Sequence, residues 1–197
     1  MNLSTKQKAN TLMQLMYLNK FARGVYQANP SNPVLSIMDL SNDEVQTFLR
    51  SLHQREVKYL LVGGVATAFH GYVRATLDLD LWVQEVPENK KRLVRALQDA
   101  NVPGAAHYET VEMIPGWSTV TIGEEGFVAD FMGYTKAFAR QDFDACYRRA
   151  ERTTFGGVPI VIIQLEDLIR EKKALGRAKD ADDVANLERI NASKKRP

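Results

Sequence analysis

Residues 60–81 combine two patterns that constrain the fold more than any other part of the chain. An apolar run ends abruptly at Gly63 and Gly64, and a short stretch of mixed spacing follows it. Apolar and acidic residues then alternate over residues 77–81, which is the period of a β-strand with two different faces. The segment therefore predicts a strand, a Gly-Gly turn, a short helix, a loop and a second strand.

The second of these strands carries two carboxylates on one face. Its alternation places three leucines towards the core and two aspartates on the opposite side. The leucines are Leu77, Leu79 and Leu81, and the aspartates are Asp78 and Asp80. Neighbouring carboxylates repel each other and lower strand propensity, so we expect a favourable partner beside them. Mg²⁺ is such a partner, because it is held by one or two carboxylates together with substrate phosphates.

The glycine pair predicts the other half of a nucleotide site. Without Cβ atoms, Gly63 and Gly64 let the backbone approach a ligand, and the following helix N-terminus offers free N–H groups to an anion. A later strand contains a third acid, Asp130, where a charge is unexpected without a partner or a cation. Together these residues predict a site for a nucleoside triphosphate and a divalent metal. Asp78 and Asp80 alone would also suit an edge strand protected by charge.

The remaining pattern predicts an α/β (α+β) fold with a short mixed sheet flanked by helices. Two hairpins are expected, at residues 118–132 and 152–163, and two helices end the chain. We divide the chain into an N-terminal helix and linker (1–33), a core (34–163) and a C-terminal helical pair packed on the core (164–197). The N-terminal helix is weakly amphipathic, so it either docks on the core or contacts a partner.

Three local details are also predicted. Ser41 and Glu44 match a capping box at the start of a helix. Both tryptophans of the chain, Trp82 and Trp117, are expected in the core. Residues 29–33 contain two prolines and predict the linker that follows the first helix.

Composition favours a single-domain cytoplasmic protein. The chain has 197 residues, of which 45% are hydrophobic and 25% charged, and these values are ordinary for a globular domain. A formal net charge of +2 does not by itself indicate nucleic-acid binding. The single cysteine, Cys146, excludes an internal disulfide and fits a reducing compartment. The sequence shows no membrane span and no signal peptide, so we expect no membrane contact.

The site motif resembles the signature of the DNA-polymerase-beta-like nucleotidyltransferase superfamily. In that signature a hydrophobic residue and Gly-Gly or Gly-Ser are followed, after a spacer, by an acid–hydrophobic–acid triplet. Here the glycines are Gly63 and Gly64 and the triplet is residues 78–80, with a spacer at the long end of the family's range. Arg74 and Thr76, just before the acids, also look like the small bacterial members.

A second part of the chain, residues 159–187, is similar to the C-terminal portion of the abortive-infection and minimal nucleotidyltransferases. In those proteins a strand leads into a helix bearing a lysine, followed by Arg, Lys-Asp and a further Asp. The matching positions are Lys173, Arg177, Lys179, Asp180 and Asp183. The two resemblances together cover about residues 41–190.

The resemblance implies a metal-dependent enzyme that transfers a nucleoside monophosphate from a nucleoside triphosphate to a hydroxyl and releases pyrophosphate. Asp78, Asp80 and Asp130 would hold two Mg²⁺ (or Mn²⁺) ions, and Asp130 would also take the proton of the attacking hydroxyl. The residues that the resemblance assigns to the nucleotide are Gly63, Gly64, Arg74, Thr76, Lys173 and Arg177.

The basic residues leave alternatives open. Arg74 could contact the triphosphate or pair with a carboxylate. Lys173 and Arg177 are four residues apart on one predicted helix face, so they could reach phosphates together or form a solvated face. Residues 179–180 and Asp183 are expected to tie the last two helices together.

The biological setting and the acceptor are also expectations from the resemblance. It implies a toxin–antitoxin or phage-defence component with an antitoxin partner, acting on an RNA end or a protein hydroxyl. One alternative is an antibiotic-modifying nucleotidyltransferase, which usually has a larger helical domain than residues 164–197 could supply. Another is an inactive nucleotide-binding module, although all three acids are present.

Overall fold

The computed structural model describes residues 4–31 and 37–192, so the predicted linker over residues 29–33 lies partly outside the described residues. The helices are α1 (Thr5–Gln27), α2 (Asp43–Gln54), α3 (Gly63–Phe69), α4 (Pro87–Asp99), α5 (Phe143–Arg149), α6 (Leu165–Leu175) and α7 (Ala178–Ala192). The strands are β1 (Tyr59–Leu61), β2 (Asp78–Val83), β3 (Thr119–Ile122), β4 (Phe127–Met132), β5 (Glu151–Phe155) and β6 (Val158–Ile162). Two short 3₁₀ helices, Ala105–Glu109 and Arg140–Asp142, lie in the connections. None of the described helices is long and apolar enough to cross a bilayer.

The described strands form one mixed sheet in the order β3-β4-β2-β1-β6-β5. The pairs β2–β4 and β1–β6 are parallel, and the three other neighbouring pairs are antiparallel. Parallel neighbours require long connections, which here contain the helices. The predicted α+β class with a mixed sheet is confirmed, and the acidic strand β2 lies inside the sheet rather than at its edge.

Strand β2 separates an apolar face from an acidic face. Leu79 and Leu81 are buried, and Phe131, the cross-strand neighbour of Leu81, packs on Phe48 of α2. Trp82 lies two residues after Asp80, so its side chain is on the same face of β2 as the two acids. Its indole is fully buried against aromatic rings near α5, so one end of the acidic face is fixed in the core.

Two apolar residues predicted for the core are exposed instead. Leu77 is 48% exposed, because β2 begins one residue later and Leu77 still belongs to the preceding loop. Trp117 is 85% exposed, because it lies in a turn that precedes β3. The prediction that Trp82 is buried is confirmed.

The start of α2 corrects another prediction. Asn42, rather than Ser41, is the N-cap, and its side-chain oxygen accepts hydrogen bonds from the backbone N–H groups of Glu44 (2.8 Å) and Val45 (3.4 Å). The Ser41 hydroxyl instead donates to Asp39 at 2.7 Å. Asparagine and serine are nearly equivalent caps, so the sequence alone did not distinguish the two adjacent positions.

Helix α1 docks on α3 and β5 through one side. Leu12 and Leu15 are fully buried, whereas Val25 near the C-terminal end is 59% exposed. Asn19 binds both backbone groups of Thr76: its Oδ1 accepts from the N–H, and its Nδ2 donates to the C=O, each at 3.2 Å. Nδ2 also donates to the carbonyl of Met38 at 2.7 Å. Helix α1 therefore fixes the backbone immediately before the acidic strand.

We expect Asn19→Ala to lower the free energy of unfolding by about 3 kcal/mol, because it leaves buried backbone groups without partners. The matched control is Asn10→Ala, since Asn10 is an exposed position on the same helix. Urea denaturation of both variants measures the difference. Equal stability of the two variants would contradict the role assigned to Asn19.

Candidate functional site

Three carboxylates meet where β2 and β4 run side by side. Asp80 is the cross-strand neighbour of Asp130 in this parallel pair, and Asp78 lies two residues before Asp80 on the same face. Neighbouring strands are about 4.8 Å apart, and in-register side chains emerge on the same side of the sheet. All three side chains line one cavity of about 570 Å³. The structure thus brings together the three acids that the sequence singled out.

Burial and mutual repulsion both oppose the ionisation of these carboxylates. Burial, together with the charges of Asp78 and Asp130, raises the pKa of Asp80 to about 6, although the Gly64 backbone amide and Lys172 act in the opposite direction. Burial also raises the pKa of Asp130, against a lowering hydrogen bond from Gly116. Proximity of like charges and loss of hydration both favour the neutral form of an acid.

Asp130 has one satisfied oxygen and one free oxygen. Its Oδ2 accepts a hydrogen bond from the backbone N–H of Gly116 at 2.7 Å. Its Oδ1 is buried and has no hydrogen-bond partner among the described residues. A buried acceptor without a partner is uncommon and indicates that the oxygen faces a ligand or a water molecule.

The two glycines of the motif are required by their contacts with the acidic strand. Gly63 adopts a φ of +57°, and a Cβ atom there would overlap the carboxylate of Asp80. A Cβ atom on Gly64 would overlap the hydroxyl of Thr76. Thr76 in turn places its hydroxyl 3.4 Å from Oδ1 of Asp78. The glycines therefore bring the start of α3 against the acids, and both line the cavity.

We expect Gly63→Ala to impair the site and to destabilise the fold, because the new methyl group displaces Asp80 and the left-handed backbone costs about 1–2 kcal/mol. Gly24→Ala is the control: Gly24 is helical, no described atom lies near its added Cβ, and this change should stabilise by about 1 kcal/mol. Thermal unfolding of both variants gives the comparison. A Gly63→Ala protein as stable as the wild type would refute the overlap.

Buried ion pairs connect the cavity to the last two helices. Asp183 and Asp180 of α7 have fully buried side chains. Asp183 accepts a bidentate pair of hydrogen bonds from Arg74 (2.7 and 2.8 Å) and a further one from Lys172 (2.5 Å). Arg177 donates to Asp180 at 2.5 Å. We call these five residues the ion-pair cluster.

The pKa values of the two cluster acids report how well they are paired. Burial raises the pKa of Asp183, but hydrogen bonds from Arg74 and Lys172 outweigh it, and the net shift is downwards. Burial likewise raises the pKa of Asp180, and the pairing with Arg177 and Lys172 again lowers it overall. The expectation that residues 179–180 and Asp183 tie the last two helices together is confirmed for Asp180 and Asp183, since Lys172 belongs to α6 and both acids to α7. Lys179 forms no ion pair with any described residue.

The predicted nucleotide residues are not all at the cavity. Arg74, Thr76 and Arg177 line it, whereas Lys173 does not. Lys173 is 59% exposed and pairs with Glu188 of α7 at 2.7 Å. Lys173 and Arg177 do not share a helix face either, because α6 ends at Leu175 and Arg177 belongs to the connection that follows.

Three other lysines line the cavity. Lys172 is almost fully buried and belongs to the ion-pair cluster. Lys136 and Lys179 are exposed, and neither forms an ion pair within the described residues. Lys172 could have been found from the sequence, since it follows the buried Leu165 and Leu168 at helical spacing. No sequence pattern near Lys136 predicts that it lines the cavity, because its position there depends on the tertiary fold.

The donor set suits a hard cation. Carboxylate oxygens are the ligands that Mg²⁺ and Mn²⁺ prefer, and both the Asp130 oxygen without a described partner and the closeness of Asp80 to two other acids fit such an ion. Within residues 4–31 and 37–192, no three His, Cys, Asp or Glu side chains are already gathered tightly enough to enclose a metal. Mg²⁺ usually keeps several water ligands and is bound by one or two carboxylates together with substrate phosphates.

Comparison with known protein families finds no match to this chain, and no curated protein sequence matches it.

Proposed function

We propose that this chain is a metal-dependent nucleotidyltransferase that moves a nucleoside monophosphate from a nucleoside triphosphate to a hydroxyl group. The observation that carries the proposal is one cavity shared by the carboxylates of Asp78, Asp80 and Asp130 and the ammonium groups of Lys136 and Lys179, which pair with no acid among the described residues. Carboxylates bind the divalent cations that accompany a triphosphate, and ammonium groups bind its oxygens. A cavity of this volume can accommodate a nucleotide.

In the proposed reaction, some side chains of the site act on the acceptor hydroxyl and others bind the donor nucleoside triphosphate. Asp130 would take the proton of the attacking hydroxyl, because its Oδ1 has no partner among the described residues while Gly116 holds Oδ2. Asp78 and Asp80 would hold Mg²⁺ or Mn²⁺. When bound, such ions neutralise the triphosphate and stabilise the attacking and leaving oxygens of an in-line displacement. Lys136 and Lys179 would orient the phosphates.

We expect the double variant Lys136→Met/Lys179→Met to raise KM for the nucleoside triphosphate by about 10-fold, because each substitution removes a charge-assisted contact. Lys173→Met is the matched control, since Lys173 lies outside the cavity and should leave KM unchanged. Initial rates at varied nucleotide concentration measure the effect. An equal rise in both variants would contradict the assignment.

The sequence motifs also support a setting. We propose a bacterial toxin–antitoxin or phage-defence component that acts in the cytoplasm with an antitoxin partner. Its acceptor would be an RNA end or a protein hydroxyl. Only the motif similarity supports this setting.

The direct test is incubation with each of the four α-labelled nucleoside triphosphates and Mg²⁺, in the presence of total cellular RNA or of cell lysate. We expect label on RNA or on a protein, and none with Asp78→Ala/Asp80→Ala. Absence of transfer to any acceptor, by protein that still binds nucleotide and metal, would overturn the proposal in favour of a binding module. Binding of Mn²⁺ followed by electron paramagnetic resonance provides the readout that does not depend on turnover.

A further inference from the structure

Trp117 is a large aromatic side chain that the fold leaves uncovered. It is 85% exposed, whereas the other tryptophan of the chain, Trp82, is fully buried. The indole N–H of Trp117 forms no hydrogen bond with any described residue. Val111 and Ile114, close to it in sequence, are also exposed apolar residues. Clustered exposed apolar side chains indicate a binding surface more often than isolated ones do.

The turn that carries Trp117 is tied to the candidate site. The Trp117 N–H donates to the carbonyl of Ile114 at 3.0 Å, and the Ile114 N–H donates to the hydroxyl of Ser118 at 2.9 Å. The residue just before Trp117, Gly116, donates its N–H to Asp130. Within this one turn, Gly116 therefore binds the carboxylate of Asp130, and the next residue, Trp117, exposes its indole.

A groove of about 580 Å³ runs beside this turn along β3, an edge strand of the sheet. Ile114 lines both the groove and the central cavity, so the two are adjacent. Thr119, also in the groove, is the cross-strand neighbour of Asp130. The groove therefore reaches the site from the side of Asp130.

The charge of the groove differs from that of the cavity. No lysine or arginine of the described residues lines the groove, and its titratable side chains are His107, Tyr108 and Glu112. The cavity, in contrast, contains Lys136, whose backbone N–H binds Glu171 of α6, and it also contains Lys179 of α7. The groove therefore offers mainly apolar surface, without a lysine or arginine from the described residues to bind phosphate.

We propose that the acceptor is a single-stranded RNA end and that Trp117 stacks on its terminal nucleobase. The acceptor hydroxyl of this RNA end then approaches Asp130. The inference rests on the proposed function, because that function makes the Asp130 side the acceptor side. An exposed indole is a good platform for any base, since every base has a π-face. The groove without lysine or arginine suits the base, and the triphosphate of the donor remains with the lysines of the cavity.

The chain offers a direct probe, because Trp117 is its single exposed tryptophan. We would titrate the protein with a short single-stranded RNA, with the same RNA lacking its 3′-terminal base, and with each nucleoside triphosphate, and follow tryptophan emission. Quenching by the intact RNA alone is expected. Trp117→Ala should abolish the quenching and weaken RNA binding about 10- to 100-fold, and Trp117→Phe should restore most of the binding. Phe21→Ala, an exposed aromatic outside the groove, is the control.

The outcomes of these experiments distinguish a failure of the inference from a failure of the proposed function. Quenching by a nucleoside triphosphate alone would overturn the inference, because the indole would then bind the donor base. Label transferred to a protein, with no quenching by RNA, would also overturn it and leave nucleotidyl transfer intact. Base-dependent quenching without transfer to any acceptor would support the stacking site while the proposed function fails.

Discussion

Replacing Asp80 by asparagine is expected to have opposite effects on catalysis and on stability. The proposed nucleotidyl transfer should fall more than about 100-fold, since mutation of even the outer-shell partners of metal ligands commonly lowers metal affinity or activity 10- to 100-fold. The metal-free variant should nevertheless unfold at a higher denaturant concentration than the wild type. Burial and the charges of Asp78 and Asp130 disfavour the ionised Asp80 carboxylate, and the asparagine removes that charge. Urea denaturation in EDTA, compared with transfer assays in Mg²⁺, measures both effects.

The pH dependence of the stability of the wild type and of Asp80→Asn tests the physical cause of the expected stabilisation. The unfolded carboxyl of Asp80 has its ordinary pKa of 3.8, and the folded pKa is about 6. Between these values the folded state retains a proton that the unfolded state has lost, so this residue makes stability fall as the pH rises through the window. The unfavourable contribution is complete above pH 6. In Asp80→Asn the contribution should be absent, so stability should decline less between pH 4 and pH 6.

Two comparisons test whether the unfavourable buried charge of Asp80 causes this effect. Asp99→Asn should lower stability slightly, because the pKa of Asp99 is lowered by a hydrogen bond from Arg55 and the pair is favourable. Mg²⁺ or Mn²⁺ should raise the unfolding temperature of the wild type but not of Asp80→Asn, since only the former binds the ion well. A less stable metal-free Asp80→Asn protein would show that the carboxylates are not in conflict.

The acidic strand could be predicted because its signal is local. Alternation over residues 77–81 requires only that a strand has two faces, and a charge at Asp130 is conspicuous between apolar neighbours. The pairing of Asp80 with Asp130 could not be read from the chain. It depends on a parallel register between strands that are not consecutive in sequence, and the intervening helices and hairpin determine that register.

The two apolar residues that sequence reasoning wrongly placed in the core lie just before a strand begins. Leu77 continues the alternating pattern but precedes the strand, so it stays half-exposed. Trp117 was expected in the core because of its hydrophobicity, yet it follows Pro115 and Gly116, which are turn formers. Hydrophobicity predicts burial only inside an element that packs against another one. Trp117 lies outside such an element, so its exposure calls for a functional explanation that a buried tryptophan would not need.

Lys172 and Lys173 should respond very differently to substitution by alanine. Lys172 is 3% exposed, and its ammonium group lies 2.5 Å from Asp183 and 3.6 Å from Asp180, so its loss leaves two buried carboxylates with fewer cations. Removal of one partner from a buried ion pair commonly costs about 3–5 kcal/mol. Lys173 is exposed and pairs at the surface with Glu188, so its substitution should cost no more than about 1 kcal/mol.

The pH dependence distinguishes lost ion pairing from lost packing in Lys172→Ala. Without the ammonium group, Asp180 and Asp183 should have higher pKa values, since Lys172 lowers both in the wild type. The deficit in the free energy of unfolding should therefore shrink as the pH is lowered from 7 towards 4, where the carboxylates take up protons. A deficit that does not change with pH would assign the loss to packing alone. A small deficit, equal to that of Lys173→Ala, would mean that the ion-pair cluster does not hold α6 on α7.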